Sequence, residues 1–276
     1  MILEDVELYK KKVKLSENED KTVKQYEGYV LEFIKWAEIQ SKEDITKQKL
    51  IDFKEYMLIQ YKTSTINIKI VILNSFTNFL GFSSEYKLEQ LTVQEKATIE
   101  NVLSQTDYER LLRIADRKGK IRTKYIMKVL AETGIRISEL KHITVEAVKK
   151  GIAVFDSKGT VERKAFINKK LQKDLLKYCK EKGITTGIIF KSRNGNPLNE
   201  AYIYKEIQWV AGQARVNKKK AHPHSFRHLF AKNYLNVPGH NIADLKIILG
   251  HKKIETTAIY LKKSDKELRK TLEQSA

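Results

Sequence analysis

Residues 222–260 read HPHSFRHLFAKNYLNVPGHNIADLKIILGHKKIETTAIY. The residue pattern of this stretch predicts three helices, over residues 225–235, 242–249 and 254–260. Two histidines and an arginine lie at the start of the first helix, and a histidine and a tyrosine follow the second. We therefore expect this part of the chain to be helical and to carry reactive side chains.

The residues before this stretch predict further helices, over 125–132, 170–182 and 199–215. Thr106 and Glu109 form a predicted capping box at the start of DYERLLRIAD. Gly134 can adopt the left-handed conformation that ends a helix, and another short helix is expected near Arg136. Residues 152–155 and 161–167 favour β-strands on either side of 157–160, which indicates a β-hairpin.

The N-terminal part of the chain predicts a separate small domain. Apolar residues recur at intervals of three and four from residue 22 to 37, and similar patterns cover 51–61 and 66–80. We expect an all-helical domain over 1–82, a linker over 83–103 and a mostly helical domain over 104–276. The predicted fold class is mainly α, with a small β-hairpin or sheet in the second domain.

Positive charge is concentrated in the second domain. The net charge of the 276 residues is +19. Residues 1–100 contain 15 Lys or Arg and 17 Asp or Glu, whereas residues 101–276 contain 38 and 17. Such an imbalance favours a polyanionic partner, and nucleic acid is the commonest one.

Several classes of protein are disfavoured by composition. No apolar run approaches the roughly 18 residues of a membrane span, and the N-terminus is too acidic for a secretory signal. We therefore expect a cytoplasmic protein with no membrane partner. Cys179 is the single cysteine, which rules out a disulfide framework or a cysteine-based metal site within the chain.

Four separated segments contain residue types that can break a phosphodiester without a metal. They are TGIRISEL (133–140), SKGTVER (157–163), PHSFRH (223–228), and LGH (249–251) with a tyrosine nine residues after its histidine. Each segment is ambiguous by itself. Arg136 could simply pair with Glu139 one turn along a helix, and Tyr260 is one of 13 tyrosines, most of which are expected to pack against other side chains.

Taken together and in this order, the segments resemble the active-site motifs of the tyrosine recombinase, or integrase, family. The family motifs T-G-x-R-x-S-E-L, P-H-x-x-R-H and L-G-H-x8-Y are all matched, while Ser157 and Val161 depart from the usual hairpin residues. The resemblance covers the second domain. The first domain is similar to the family's core-binding domain only in size, helix pattern and position, and the compact layout resembles Xer-type recombinases.

The resemblance implies six catalytic residues: Arg136, Lys158, His224, Arg227, His251 and Tyr260. Tyr260 would form a 3′-phosphotyrosyl link that conserves bond energy, so that neither a metal, nor ATP, nor another cofactor is expected. The arginines and His251 would bind the phosphate oxygens, whose negative charge grows in the transition state. His224 would accept the tyrosine proton, and Lys158 would protonate the leaving 5′ oxygen, with Lys164 as the alternative hairpin lysine.

The sequence favours three other interpretations less strongly. A metal centre at His222, His224 and His228 is disfavoured, because no carboxylates stand beside them at metal-binding spacing. A type IB topoisomerase uses almost the same groups, but the L-G-H-x8-Y spacing and the small helical first domain favour a recombinase. A regulator that only binds DNA would be expected to lack some of the six residues.

The resemblance also implies assembly on double-stranded DNA. Four protomers would pair two sites as a homotetramer, and accessory DNA-binding proteins would influence the direction of the reaction. The tail over 261–276 carries Leu268 and Leu272 at helical spacing. It could dock on a neighbouring protomer or fold back on its own domain.

Overall fold

The computed structural model describes residues 1–92, 101–155, 163–251 and 253–262. The chain divides into two compact units, Met1–Glu95 and Lys96–Ala276, and each unit has its own buried apolar core. Among the described residues, no helix is both long and apolar enough to cross a lipid bilayer.

The first unit is a bundle of α-helices: α1 (Ile2–Leu15), α2 (Asp20–Trp36), α3 (Lys47–Gln60) and α4 (Thr63–Phe79). Phe33, Phe53 and Phe76 fill its core and are 0% exposed. Helix α1 was not among the predicted helices, although its buried residues recur at spacings of three and four: Ile2, Val6, Tyr9 and Val13. Helix α3 begins about one turn before the predicted start, because Thr46 caps it by accepting a hydrogen bond from the Lys49 N–H.

The second unit is also mainly helical: α5 (Gln105–Arg117), α6 (Ile121–Thr133), α7 (Val145–Lys150), α8 (Lys169–Glu181), α9 (Glu200–Gln213), α10 (Pro223–Leu235), α11 (Ile242–Leu249) and α12 (Glu255–Ala258). Helix α6 lies at its centre and contacts α5, α8, α9 and α10. Met127, Val129 and Leu130 of α6 are 0% exposed. Short 3-10 helices cover Ile137–His142 and Ile259–Leu261.

The β-structure of the second unit is a two-stranded antiparallel sheet formed by β1 (Ile152–Phe155) and β2 (Arg163–Phe166). Ile152 lies opposite Phe166, and Phe155 lies opposite Arg163. The predicted turn over 157–160, with Lys158, is outside the described residues. Together with the helices, this sheet confirms the predicted fold class.

Two local predictions in the second unit are wrong. Helix α5 is capped by Ser104, whose hydroxyl accepts a hydrogen bond from the Asp107 N–H, rather than by a capping box at Thr106. Ser104 stands one residue before the helix and satisfies the same kind of free N–H group. The helix predicted over 254–260 is instead the four-residue α12 followed by a 3-10 turn that contains Tyr260.

Gly134 ends α6 in a conformation that only glycine adopts without strain. Its φ is +63°, and a Cβ atom there would lie 2.4 Å from Cδ1 of Phe230 and 2.9 Å from Cδ2 of Leu249. The missing side chain therefore lets α10 and α11 approach the end of α6. This approach places the T-G-x-R segment beside the two segments that carry the other candidate residues.

We expect Gly134→Ala to destabilise the chain by about 3 kcal/mol, since it adds a steric clash to the cost of a left-handed alanine. Gly119→Ala is the matched control, because Gly119 has a φ of +67° but no atom within 4 Å of the added Cβ. That control should cost only about 1 kcal/mol. Urea unfolding of the full chain measures both, and equal losses would contradict the proposed close approach.

Candidate active site

Arg227 joins the segments of the site. It lies on α10, and its side chain is buried, with 1% of its surface exposed. Nη1 donates to the carbonyl oxygen of Gly134 at 2.6 Å, and Nη2 donates to that of Leu249 at 2.7 Å. Nη2 also donates to Nε2 of His251 at 2.9 Å. One guanidinium therefore connects the ends of α6 and α11 with the L-G-H segment.

The positive charge of Arg227 is not balanced by a carboxylate. All three of its hydrogen-bond acceptors are neutral, and no acidic side chain within the described ranges forms an ion pair with it. Burial and then the charge of Arg136 lower its pKa to about 10, which keeps the group charged at neutral pH. A buried, uncompensated cation of this kind favours binding of an anion.

Arg136 lies at the start of the 3-10 helix Ile137–His142, and 47% of its side chain is exposed. Its Nη1 donates to Oε1 of Glu139 at 3.0 Å, and its backbone N–H donates to Oε2 at 2.6 Å. The pairing with Glu139 that we considered from the sequence is therefore present. It does not remove Arg136 from the site, since the charge of Arg136 lowers the pKa of Arg227.

His251 is neutral in this arrangement. Its Nε2 accepts the hydrogen bond from Arg227, so Nδ1 carries the proton and faces Oγ1 of Thr257 at 2.9 Å. Burial, followed by the charges of Arg227 and Arg136, lowers the pKa of His251 to about 4. His251 therefore holds Arg227 in place, and its Nε2 is not free to donate a hydrogen bond in this conformation.

Tyr260 is buried between two imidazole rings. Its side chain is 3% exposed, and its ring lies 4.4 Å from that of His228 and 6.0 Å from that of His251, measured between centroids. Its hydroxyl is buried and lies close enough to the Arg227 guanidinium to raise the pKa of that group, although no hydrogen bond of normal geometry reaches it in the described part of the chain. Tyr260 therefore lies among the candidate residues, but its oxygen is shielded from solvent.

The ring of His228 lies between His224 and Tyr260 and contacts both. Its ring centroid is 5.7 Å from that of His228, and no hydrogen bond joins it to Tyr260 among the residues described. Desolvation by the surrounding protein, followed by the charge of Arg227, lowers the pKa of His224 below its ordinary value of 6.5. His224 is therefore mainly unprotonated at neutral pH and can accept a proton.

Two lysines are candidates for the catalytic lysine of the hairpin. Lys158 lies outside the described residues, and the alternative, Lys164, is exposed on β2 opposite Val154. Among the described residues, no group of three or more His, Cys, Asp or Glu side chains has a metal-binding arrangement. Of the six candidate residues, Arg227 and His251 are joined by a hydrogen bond, and the ring of Tyr260 stacks beside that of His251. Arg136 and His224 lie next to this group.

Three further side chains shape the site. His228 packs on Tyr260, Thr257 fixes the proton of His251, and Arg163 contacts Glu139. From the sequence, His228 is considered only as part of a disfavoured metal centre, and no pattern indicates a role for Thr257. Arg163 belongs to the hairpin motif, but the family resemblance implies no catalytic role for it. In the predicted strand 161–167, Arg163 alternates with the apolar residues Val161, Ala165 and Ile167. This alternation places Arg163 on the face of the strand that is expected to be buried.

The chain is similar to proteins of one known family. The Phage integrase family matches residues 101–267. Tyrosine recombinase XerA of Pyrococcus horikoshii is 27% identical over 222 residues, which cover 78% of this chain and 75% of that protein. Tyrosine recombinase XerC of Staphylococcus haemolyticus is 26% identical over 273 residues, which cover 90% and 88%.

The fold is also found among solved structures. A lambda integrase tetramer bound to a Holliday junction aligns with a TM-score of 0.76 at 16% identity, covering 94% of this chain and 76% of that one. The family match includes more than half of the 276 residues and contains all six residues selected from the sequence motifs. The chain therefore belongs to the Phage integrase family, the tyrosine recombinases.

Proposed function

We propose that this enzyme cleaves and rejoins DNA at specific sites, with Tyr260 as the nucleophile. The observation that carries this proposal is the placement of Tyr260 beside the buried, uncompensated charge of Arg227. A phosphodiester bound at Arg227 would bring its phosphorus close to the tyrosine ring. The reported relatives are recombinases and integrases, which favours recombination over the topoisomerase activity that we kept as an alternative.

Arg227 and Arg136 stabilise the transition state in this proposal. The pentacoordinate phosphorus gathers negative charge on its non-bridging oxygens, so preorganised cations lower the barrier. Guanidinium groups bind two oxygens at once and keep their charge, which makes lysine a poor replacement at either position. The partial exposure of Arg136 leaves donor groups available for a phosphate that approaches from solvent.

His251 is proposed to contact the phosphate after its hydrogen bond with Arg227 is broken. In the DNA-free arrangement its Nε2 accepts from Arg227. When phosphate oxygens replace that interaction, a proton on Nε2 would let His251 donate to the same phosphate. The Thr257 hydroxyl can either donate or accept, so it supports both tautomers of the ring.

His224 is proposed as the base that accepts the Tyr260 proton, because the phenol hydroxyl has to lose its proton when its oxygen attacks phosphorus. Since Tyr260 is only 3% exposed, the segment over 253–262 has to open before its oxygen meets DNA. Lys158 is proposed to protonate the leaving 5′ oxygen, with Lys164 as the alternative. Both lysine assignments rest on the family resemblance.

We further propose that double-stranded DNA is held by two domains, a DNA-clamping domain over 1–82 and a catalytic domain over 104–276, joined by a linker over 83–103. The two compact units support this division. A homotetramer on paired sites is supported by the lambda integrase tetramer bound to a Holliday junction. Accessory DNA-binding proteins and a cytoplasmic location complete the proposal, which requires neither a metal nor a cofactor.

The proposal predicts a covalent adduct between protein and DNA that depends on Tyr260. Nicked duplexes from a library of candidate sites would be incubated with the protein, and adducts that survive denaturation would be isolated and sequenced. Tyr260→Phe should form none, because the attacking oxygen is gone. Tyr234→Phe is the matched control on α10, where the ring stacks on His240, and it should form the adduct normally.

Adduct formation by Tyr260→Phe would show that another group attacks the phosphate. An adduct that forms equally on every duplex, together with relaxation of supercoils, would instead support the topoisomerase.

The pH dependence of cleavage tests the base. Protonated His224 cannot accept a proton, so the rate should fall as the pH drops through the pKa of His224, which lies below 6.5. Adduct formation at subsaturating DNA, which reports the free enzyme, should therefore have an acid midpoint below pH 6.5, and His224→Gln should lose this transition. His240→Gln, which alters an exposed ring on Tyr234, should keep the wild-type profile. A wild-type midpoint at or above 6.5 would contradict the assignment.

A further inference from the structure

Arg163 is a third arginine in the site, and the mechanism above does not use it. It begins β2, and its side chain is 8% exposed. Nη1 pairs with Oε1 of Glu139, and Nε donates to the carbonyl oxygen of Ile248 at 3.4 Å. The guanidinium carbon lies 5.1 Å from the centre of the Phe155 ring. Arg163 thus connects the hairpin with the 3-10 helix that follows α6 and with the last turn of α11.

Glu139 is shared between two arginines. Its Oε1 accepts from both Arg136 and Arg163, while Oε2 accepts the backbone N–H of Arg136. Burial opposes ionisation of this carboxyl, but the Arg136 N–H and the charge of Arg163 outweigh burial and lower its pKa. Glu139 is therefore an anion at neutral pH and sits directly beside a proposed phosphate-binding arginine.

An anion in that position would weaken catalysis if it were balanced by Arg136 alone. A carboxylate attracts the Arg136 guanidinium and cancels its charge towards an incoming phosphate. With Arg163 present, the three groups together keep one net positive charge. Arg163 therefore lets Glu139 orient Arg136 without neutralising it.

The turn before His251 is also built around Arg163. Gly250 has a φ of +65°, and a Cβ atom there would lie 2.2 Å from Cδ and 2.7 Å from Nε of Arg163. The adjoining Leu249 carbonyl accepts from Arg227. Nη2 of Arg163 is buried and has no partner within the described ranges, so the side chain is held by its other contacts.

We propose that Arg163 is a positioning residue for DNA cleavage, which balances the charge of Glu139 so that Arg136 remains available to the scissile phosphate. This inference rests on the proposed function. It assigns Arg163 an effect on the rate of cleavage rather than on DNA affinity, because Arg163 is buried and acts through Glu139.

The test is single-turnover adduct formation by the full chain on its selected duplex, with DNA affinity measured in parallel. Arg163→Met should slow cleavage by about 100-fold, since small misplacements in an active site have effects of this size. The DNA dissociation constant should change by less than about threefold. Arg117→Met removes one charge from the exposed end of α5 and serves as the matched control, with a cleavage rate near that of the wild type.

The double variant Glu139→Gln with Arg163→Met distinguishes charge from packing. It removes both buried charges, so it should fold even if Arg163→Met alone does not. We expect it to cleave at least about 10-fold faster than Arg163→Met, or within about 10-fold of the wild type if the single variant is unfolded. A double variant that stays as slow as Arg136→Ala would overturn the inference.

A duplex with sulfur at the 5′ bridging position provides a second readout, because a thiolate leaves without needing a proton. The defect of the Arg163 variants should persist on this duplex, since Arg136 acts on the non-bridging oxygens. Recovery of the rate would overturn the inference by placing the effect on the hairpin lysine, and wild-type cleavage by Arg163→Met would do the same. Absence of any adduct from the wild-type chain would overturn the proposed function along with it.

Discussion

The active site depends on the three hydrogen bonds that one guanidinium donates at the centre of the second unit. Arg227 contacts the Gly134 carbonyl, the Leu249 carbonyl and the His251 ring, and these groups belong to segments far apart in sequence. The close approach at Gly134 makes this convergence possible, because no side chain separates α6 from α10 and α11. Loss of any one contact would leave buried polar atoms without partners.

The two arginines proposed to bind phosphate have different surroundings. Arg227 is buried and surrounded by neutral acceptors, whereas Arg136 is half exposed and touches a carboxylate. Backbone carbonyl groups orient Arg227 without neutralising its charge. Glu139 orients Arg136, and the charge of that carboxylate is balanced by Arg163. In both cases the arginine is ordered before phosphate arrives, which reduces the reorganisation needed during reaction.

The sequence predicts much of this arrangement, because reacting groups recur in recognisable motifs and helices follow apolar periodicity. The mainly α fold, the hairpin and the end of α6 at Gly134 are examples. Contacts between residues that are distant in sequence are not predicted. Nothing in the local pattern links Arg163 to Glu139, or Thr257 to His251, since each pairing depends on how distant segments pack. Helix starts such as Ser104 also escape periodicity, because they are set by single polar side chains.

The uncompensated charge of Arg227 links occupancy of the site to the lifetime of the protein. A buried cation without a counterion raises the free energy of the empty folded state. A bound phosphate removes that burden, and any ligand that binds only the folded state shifts the folding equilibrium in its favour. We therefore expect the DNA-free enzyme to unfold more readily than the DNA-bound enzyme. If Arg227 binds the substrate as proposed, the same side chain stabilises the folded protein more strongly in its DNA-bound form than in its DNA-free form.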